Sequence, residues 1–299
     1  MFVLVLNQNN LVQDGKNNNF IYKFPNSVNL TDKYIAVSSV SMYYSWANIG
    51  PIFNNNVITF TWTAGAVTTQ YAIQIPEGLY EISTINSFIQ WFCIQNGLFW
   101  TEGGNNYYPF ELIVNPSRYA VQLNTYLIPT VLPAGATVPG NFPGWPTVTQ
   151  NSVVSFPSFF NKIIGFPDLF ASNPNLNNLF VPPVSDYVSK NANGTISYLS
   201  TTSPNIQPNS TIFLSISNIN NPYSQPSSII YALSPSVGVG EQIVERPPNF
   251  MWNKLIDGTY NQLRLTLLGT DLSPIKILDP NITIILAIRD KSESMIGSK

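Results

Sequence analysis

Asp271 and Asp279 are the nearest thing in this chain to a catalytic pair. A glycosidase needs two carboxyl groups about 5 to 10 Å apart, flanking a sugar site. Both residues also stand where aspartate shapes turns. Asp271 precedes Leu-Ser-Pro and Asp279 precedes Pro280, positions where the carboxylate bonds its own downstream backbone. The sequence assigns them to turn chemistry. Glu77 and Glu81 bracket "EGLYE" just before a helical pattern, and acids there favour the positive end of a helix dipole. "GVGEQI" (238–243) lacks the third glycine and the strand–helix context of a dinucleotide loop, and no GxxxxGK[ST] occurs.

The chain of 299 residues contains no histidine. That removes the commonest general acid/base, the Ser-His and Cys-His nucleophile pairs and nearly every catalytic zinc site. Cys93 is the single cysteine, so no intrachain disulfide or cysteine metal cluster can form. It reads as a small buried apolar residue in a helix. No catalytic, cofactor-binding or metal site is expected, and the chain is read as non-enzymatic. Charged residues make up 9% and the net charge is −2, which leaves no electrostatic footprint for nucleic acid. The surface must then be covered by Asn, Ser, Thr, Gln and Tyr, as in proteins that pack into assemblies or bind sugars. "MFVLVLNQ" has no basic start and a short apolar run. No secretory signal and no membrane insertion are therefore expected, and the protein is expected to be made in a reducing cytosol. The Asn-x-Ser/Thr triplets at Asn29, Asn193, Asn209 and Asn281 should then stay unmodified.

The elements that would carry these residues are mostly strands. "FVLVLNQNN" (2–10), "NFIYKFPNS" (19–27) and "KYIAVSSVSMYYSW" (33–46) are β-prone runs bounded by turn residues. In "NVITFTW" (56–62) Ile58, Phe60 and Trp62 alternate against Val57, Thr59 and Thr61; Tyr71, Ile73 and Ile75 share a face after it. One helix is expected over 83–96. Ile85, Phe88, Ile89 and Phe92 fall at helical spacing, Ser83 or Thr84 would cap the start, and Gly97 would close the end. A hairpin follows around "NPSR" (115–118), then a Pro/Gly-rich loop over 129–149 in which Phe142 and Trp145 give something to bury. "FFNKIIGFPDLF" (159–170) reads as a helical turn stopped by Pro167. A polar, irregular stretch from Phe170 to about Pro208 contains a short strand in "GTISYLS" (194–200). Ile212, Leu214 and Ile216 alternate in the next strand. Leu263, Leu265 and Leu267, then Ile282, Ile284, Leu286 and Ile288, line the last two, with Arg264 and Arg289 facing solvent or a neighbouring subunit.

Strand–helix alternation, which parallel sheets require, is absent. The class is all-β. Four strands before residue 76 and four after 208 make one eight-stranded antiparallel jelly roll, a β-sandwich, with a discontinuous core over 1–75 and 208–299. Residues 76–207 are then an insertion holding the helix, the hairpin and the long loops. The tryptophans offer possible sugar-stacking faces, and "GNNYYPF" (104–110) and "GNFPGW" (140–145) read as exposed aromatic loops, placed to pack on a neighbour or to bind a receptor glycan. A carbohydrate-binding or host-attachment β-sandwich is accordingly the competing class.

The run 209–288 resembles the C-terminal half of the penton, or minor capsid, proteins of virophages and Polinton-like viruses. The shared layout is a strand opening on Asn209-Ser210, an Ile230-Tyr231 strand and a Gly240-x-x-Ile243 step towards a proline. An aromatic-x-x-Leu-x-x-Gly-x-Tyr-Asn run (252–261) leads into an alternating strand, and a Leu267-to-Asp271 turn and a closing strand complete it. "IPEGLYEISTINSFIQ" (75–90) and "NKIIGFP" (161–167) are similar to two further segments of that family, in the family's order. The length suits a Mavirus-like penton. The resemblance implies a single jelly roll, a homopentamer plugging each fivefold vertex of an icosahedral virion, and neighbours that are trimers of a double-jelly-roll major capsid protein. It implies no enzymatic activity and no cofactor. Apart from 161–167, residues 119–208 match nothing in the family and would form its variable outer part.

Overall fold

The computed structural model describes residues 1–156, 159–167, 188–190, 192–206 and 209–291. The first part of the polar, irregular stretch expected from Phe170, as far as residue 187, lies outside the described residues. Three strands open the chain: β1 (Phe2–Leu6), β2 (Asn19–Asn29) and β3 (Lys33–Tyr43). Then come β4 (Val57–Ala64), β5 (Val67–Gln74), α1 (Ile82–Gln95), β6 (Trp100–Glu102), β7 (Asn105–Tyr107) and the hairpin β8 (Phe110–Asn115)–β9 (Ala120–Thr125). Short elements follow: β10 (Leu127–Ile128), β11 (Gln150–Asn151), β12 (Val154–Ser155), α2 (Phe160–Ile164), β13 (Val188–Lys190) and β14 (Ile196–Leu199). The chain closes with β15 (Ile212–Ile216), β16 (Ile229–Leu233), β17 (Gln242–Glu245), β18 (Asn253–Lys254), β19 (Thr259–Leu268) and β20 (Thr283–Asp290).

These elements form two compact units, Met1–Ala47 with Gln207–Lys299, and Asn48–Ile206. In the first unit one sheet has the order β1-β20-β3-β17, with β18 also on β3, and the other β16-β15-β19-β2. Numbered by chain order within the unit and leaving aside the two-residue β18, the eight strands read 1-8-3-6 and 5-4-7-2. That interleaving, with every pair antiparallel, is the jelly-roll winding. The alternating rows fill its interior: Leu263, Leu265 and Leu267 of β19, Ile212, Leu214 and Ile216 of β15, and Ile284, Leu286 and Ile288 of β20 are all buried. Pro25 lies in β2, an edge strand whose pairing with β19 skips between Val28 and Lys23, a place where a missing N–H breaks no ladder.

The division of the chain differs from the one expected. Residues 48–75 were assigned to the jelly roll, but β4 and β5 belong to the second unit. β4 pairs with β5 and with β12, and none of the three joins a jelly-roll sheet. The roll therefore takes three strands from before the insertion and five from after it. Alternation tells which side of a strand is buried; it does not tell which sheet the strand joins.

In the second unit β12-β4-β5 and β13-β14-β9-β8 are the larger sheets. Helix α1 turns Ile82, Ile85, Ile89 and Cys93 into the core, and its Asn86 side chain accepts the Leu112 N–H of β8 at 2.9 Å. Two expectations about the helix change. It starts one residue before Ser83, with Glu81 at the N-cap, so neither Ser83 nor Thr84 caps it, and Glu81 makes no side-chain cap bond. Its end is as expected. Gly97 has φ +68°, its N–H bonds Ile94 O and that of Leu98 bonds Cys93 O, the paired bonds of a left-handed glycine stop. Likewise α2 ends at Gly165, with φ +78°, two residues before the proline that was expected to stop it. A side chain at Gly165 would meet Thr202 O at 2.2 Å.

Candidate functional site

The carboxylates come first, and the structure spends them on turns. Asp271 accepts both the N–H and the hydroxyl of Ser273, at 3.0 and 2.6 Å. The serine hydroxyl, then the backbone, holds its carboxyl below the usual value. Asp279 accepts the N–H of Asn281 at 2.7 Å, and its own N–H donates to the Ser45 hydroxyl at 3.1 Å. Each caps its own chain two residues on, the local geometry that makes Asp a turn residue. "GVGEQI" is a turn as well: Glu241 accepts the Gly238 N–H at 2.8 Å and returns its own N–H to Gly238 O at 3.1 Å. Cys93 lies inside α1, and burial pushes its thiol up to about 12, far from the range of a nucleophile. Among the described residues no group of three or more His, Cys, Asp or Glu could hold a metal ion, and no helix is long and apolar enough to cross a membrane.

The aromatic loops differ from expectation. Tyr108 and Phe110 are buried and Tyr107 packs against the same cluster. Phe142 lies edge-on to Trp62 at 5.6 Å and against Trp145 at 4.6 Å, while the Trp62 indole N–H donates to Gly144 O at 3.1 Å. Both loops are therefore core material, because a Pro/Gly-rich chain has few side chains to bury and these rings supply the area. Of the tryptophans only Trp91 is exposed, at 52%, and it leans on Phe88 at 5.2 Å. A platform for stacking sugars is not formed by either loop.

Arg264 faces solvent as expected. Arg289 does not. It is half-buried with its guanidinium 4.1 Å from the centre of the Trp252 ring, a cation–π contact, and its Nε is shielded without a hydrogen-bond partner. The outward face of the β16-β15-β19-β2 sheet carries Arg264 and, across one register, a row without charge. Ser228, Ser215, Thr266 and Asn19 follow one another across it, with Ser215–Ser228 and Thr266–Asn19 bonds of 2.7 Å.

One residue that the sequence did not single out stands at the start of the second unit. Asn48 is buried. Its amide donates to Tyr80 O at 2.7 Å and Ile206 O at 2.6 Å, and its oxygen accepts the Tyr80 N–H at 2.9 Å. The first and last residues of the unit are tied by that one side chain. In a chain so rich in asparagine, nothing in the sequence marks this one.

No protein-family model matches the chain, and no curated protein matches it. Among solved structures it is similar to the crystal structure of mavirus penton protein, at 8% identity and a TM-score of 0.37, over 96% of each chain. It is also similar to a chain of the Sputnik virophage structure, at 15% identity and a TM-score of 0.34, over 92% of this chain and 93% of that one.

Proposed function

We propose that this chain is a structural capsid protein that assembles as a homopentamer at the fivefold vertices of an icosahedral virion. There it packs against trimers of a double-jelly-roll major capsid protein, without enzymatic activity, nucleic-acid binding or membrane insertion. One observation carries the reading. The segment whose motifs resemble the penton family, 209–288, supplies β15, β16, β17, β19 and most of β20, five of the eight strands of the jelly roll. The motifs fall on those strands in order, from Asn209-Ser210 ahead of β15 to the closing Ile/Leu row of β20.

The surface chemistry supports it. A fivefold ring is a closed head-to-tail assembly, so each subunit offers two different, complementary flanks. The hydroxyl and amide row Ser228-Ser215-Thr266-Asn19 can meet a neighbour without burying an unpaired charge. The protein is synthesised in the host cytoplasm and resides at the capsid vertex.

The test is the mass in solution and the shape of the particle. Light scattering behind size exclusion is expected to give five times 33.2 kDa, about 166 kDa, and electron microscopy five-pointed rings. A strict monomer at high concentration, alone and in the presence of the major capsid protein, overturns the reading.

A further inference from the structure

Beyond assembly, we infer that the jelly-roll unit carries a binding site for a neutral saccharide at one end of its β1-β20-β3-β17 sheet. A cleft of about 430 Å³ opens there, within the range of small-molecule sites, about 300–1,000 Å³. Four chain segments meet around it. β1 leaves the sheet into the 3-10 turn Gln8–Asn10, β3 and β17 pair at Tyr43 and Gln242, and β20 begins beside Ser41 at Thr283.

The lining is chemically selective. It contains no Lys, Arg, Asp or Glu, so it offers neither a counter-charge for an anion nor a carboxylate for a metal ion. Its one apolar wall residue is Ile282, itself buried, which gives a hydrophobic ligand little to bury. The strands beneath already pair with one another, so an added peptide strand finds no free ladder inside the cleft. What remains is a set of amides and hydroxyls. An amide presents a donor and an acceptor side by side, the pattern that vicinal sugar hydroxyls match. Tyr43, 36% exposed, adds a ring face for the C–H side of a pyranose.

Part of the set is fixed and part is uncommitted. Asn7 accepts the Asn9 N–H at 2.9 Å, and Asn10 accepts the Asn7 N–H at 3.0 Å, a reciprocal cap that holds the turn. Gln242 donates to the Ser41 hydroxyl at 3.0 Å. The side-chain amides of Gln8, Asn9 and Asn281 and the Tyr43 hydroxyl make no hydrogen bond among the described residues. Free neutral groups on a pre-organised rim lower the ordering cost of binding.

The experiment uses the full chain with lactose, maltotriose and chitobiose as probes, at millimolar concentration, by saturation-transfer difference NMR and calorimetric titration. At least one probe is expected to bind. Gln242→Ala with Asn281→Ala is expected to weaken it about thirtyfold, since each of the two lost hydrogen bonds removes on the order of 1 kcal/mol. Gln8→Ala with Asn9→Ala, on the other wall, gives the same direction. Sialyllactose, which adds a negative charge, is expected to bind no better than lactose. If no probe binds, or binding survives both double variants, the inference fails. If the variants alter the oligomeric mass and no probe binds, the cleft is a seat for a neighbouring copy, and the inference fails while the pentamer reading stands.

Discussion

The jelly-roll unit buries rows of leucine and isoleucine, whereas the unit from Asn48 to Ile206 buries rings. Among the described residues the first has Phe20, Tyr44 and Trp46 as its buried aromatics. The second has Phe60, Trp62, Trp100, Phe110, Phe156 and Phe160, with others beside them. Element length goes with part of the difference. β19 and β20 run for 10 and 8 residues, long enough for period-2 rows of branched side chains to face each other across a sandwich. β6, β7, β10, β11 and β12 are two or three residues long. Two of them carry one ring each, Trp100 in β6 and Tyr107 in β7, and these stack at 5.4 Å. Rings fill the longer elements of this unit as well: Phe60, on the eight-residue β4, meets Tyr71 of β5, Phe92 of α1 and Phe110 of β8, at 5.5, 6.2 and 5.3 Å.

The contrast can be broken by substitution. Phe60→Ala is expected to have the largest effect, about 3–5 kcal/mol, with faster amide exchange across 48–206. Leu265→Ala in β19 is expected to cost about 2–5 kcal/mol, with exchange rising in the jelly-roll strands instead. If both substitutions loosen the whole chain equally, the molecule unfolds as one body and the contrast holds for composition alone. Asn48→Ala comes next, at about 1–3 kcal/mol for each buried backbone group left unpaired. Urea titration of the variant should show the loss, and Asn48→Asp should not rescue it, because a carboxylate cannot donate to Tyr80 O and Ile206 O.

The smallest effect concerns the end of the β20–β3 ladder. Lys33 Nζ lies 2.6 Å from Asp290 Oδ1, and this partner holds the Asp290 carboxyl below its usual value. A carboxyl depressed in the folded state stabilises above its unfolded value, and that contribution is lost as pH falls through the folded one. Asp290→Asn should therefore lower the melting temperature slightly at neutral pH and leave it unchanged in strong acid. High salt should erase even the neutral-pH difference, since the carboxylate is exposed. A large shift would mean that this end is more enclosed than the chain alone makes it.

Much of this was legible in the sequence. The rows in β15, β19 and β20, the helix with its glycine stop, and the turn roles of Asp271 and Asp279 all depend on neighbours within a few residues, so local pattern reaches them. The allegiance of β4 and β5 was not legible, because Ile58, Phe60 and Trp62 alternate the same way whichever sheet they join. Phe142 and Trp145 were read both as something for the 129–149 loop to bury and as part of an exposed aromatic loop; the burial of Tyr108 was missed because a loop composition hides which rings fold inward. Arg289 was read as facing solvent or a neighbouring subunit; its contact with Trp252 was not legible, because that ring lies 37 residues away in sequence. The cleft at Asn7, Tyr43, Gln242 and Asn281 had no signal at all, being made by four segments brought together only by the winding of the roll.

Asn48 gives the molecule a seam. Because its amide reaches Ile206, the excursion between them departs and returns at one place, and each doubling of its length adds only about 0.6 kcal/mol of closure entropy. Material of that kind can be exchanged as a cassette: a lineage can swap or enlarge everything from Asn48 to Ile206 and leave the strand order on either side untouched. An engineer can do the same, by grafting a foreign domain whose termini lie a hydrogen bond apart.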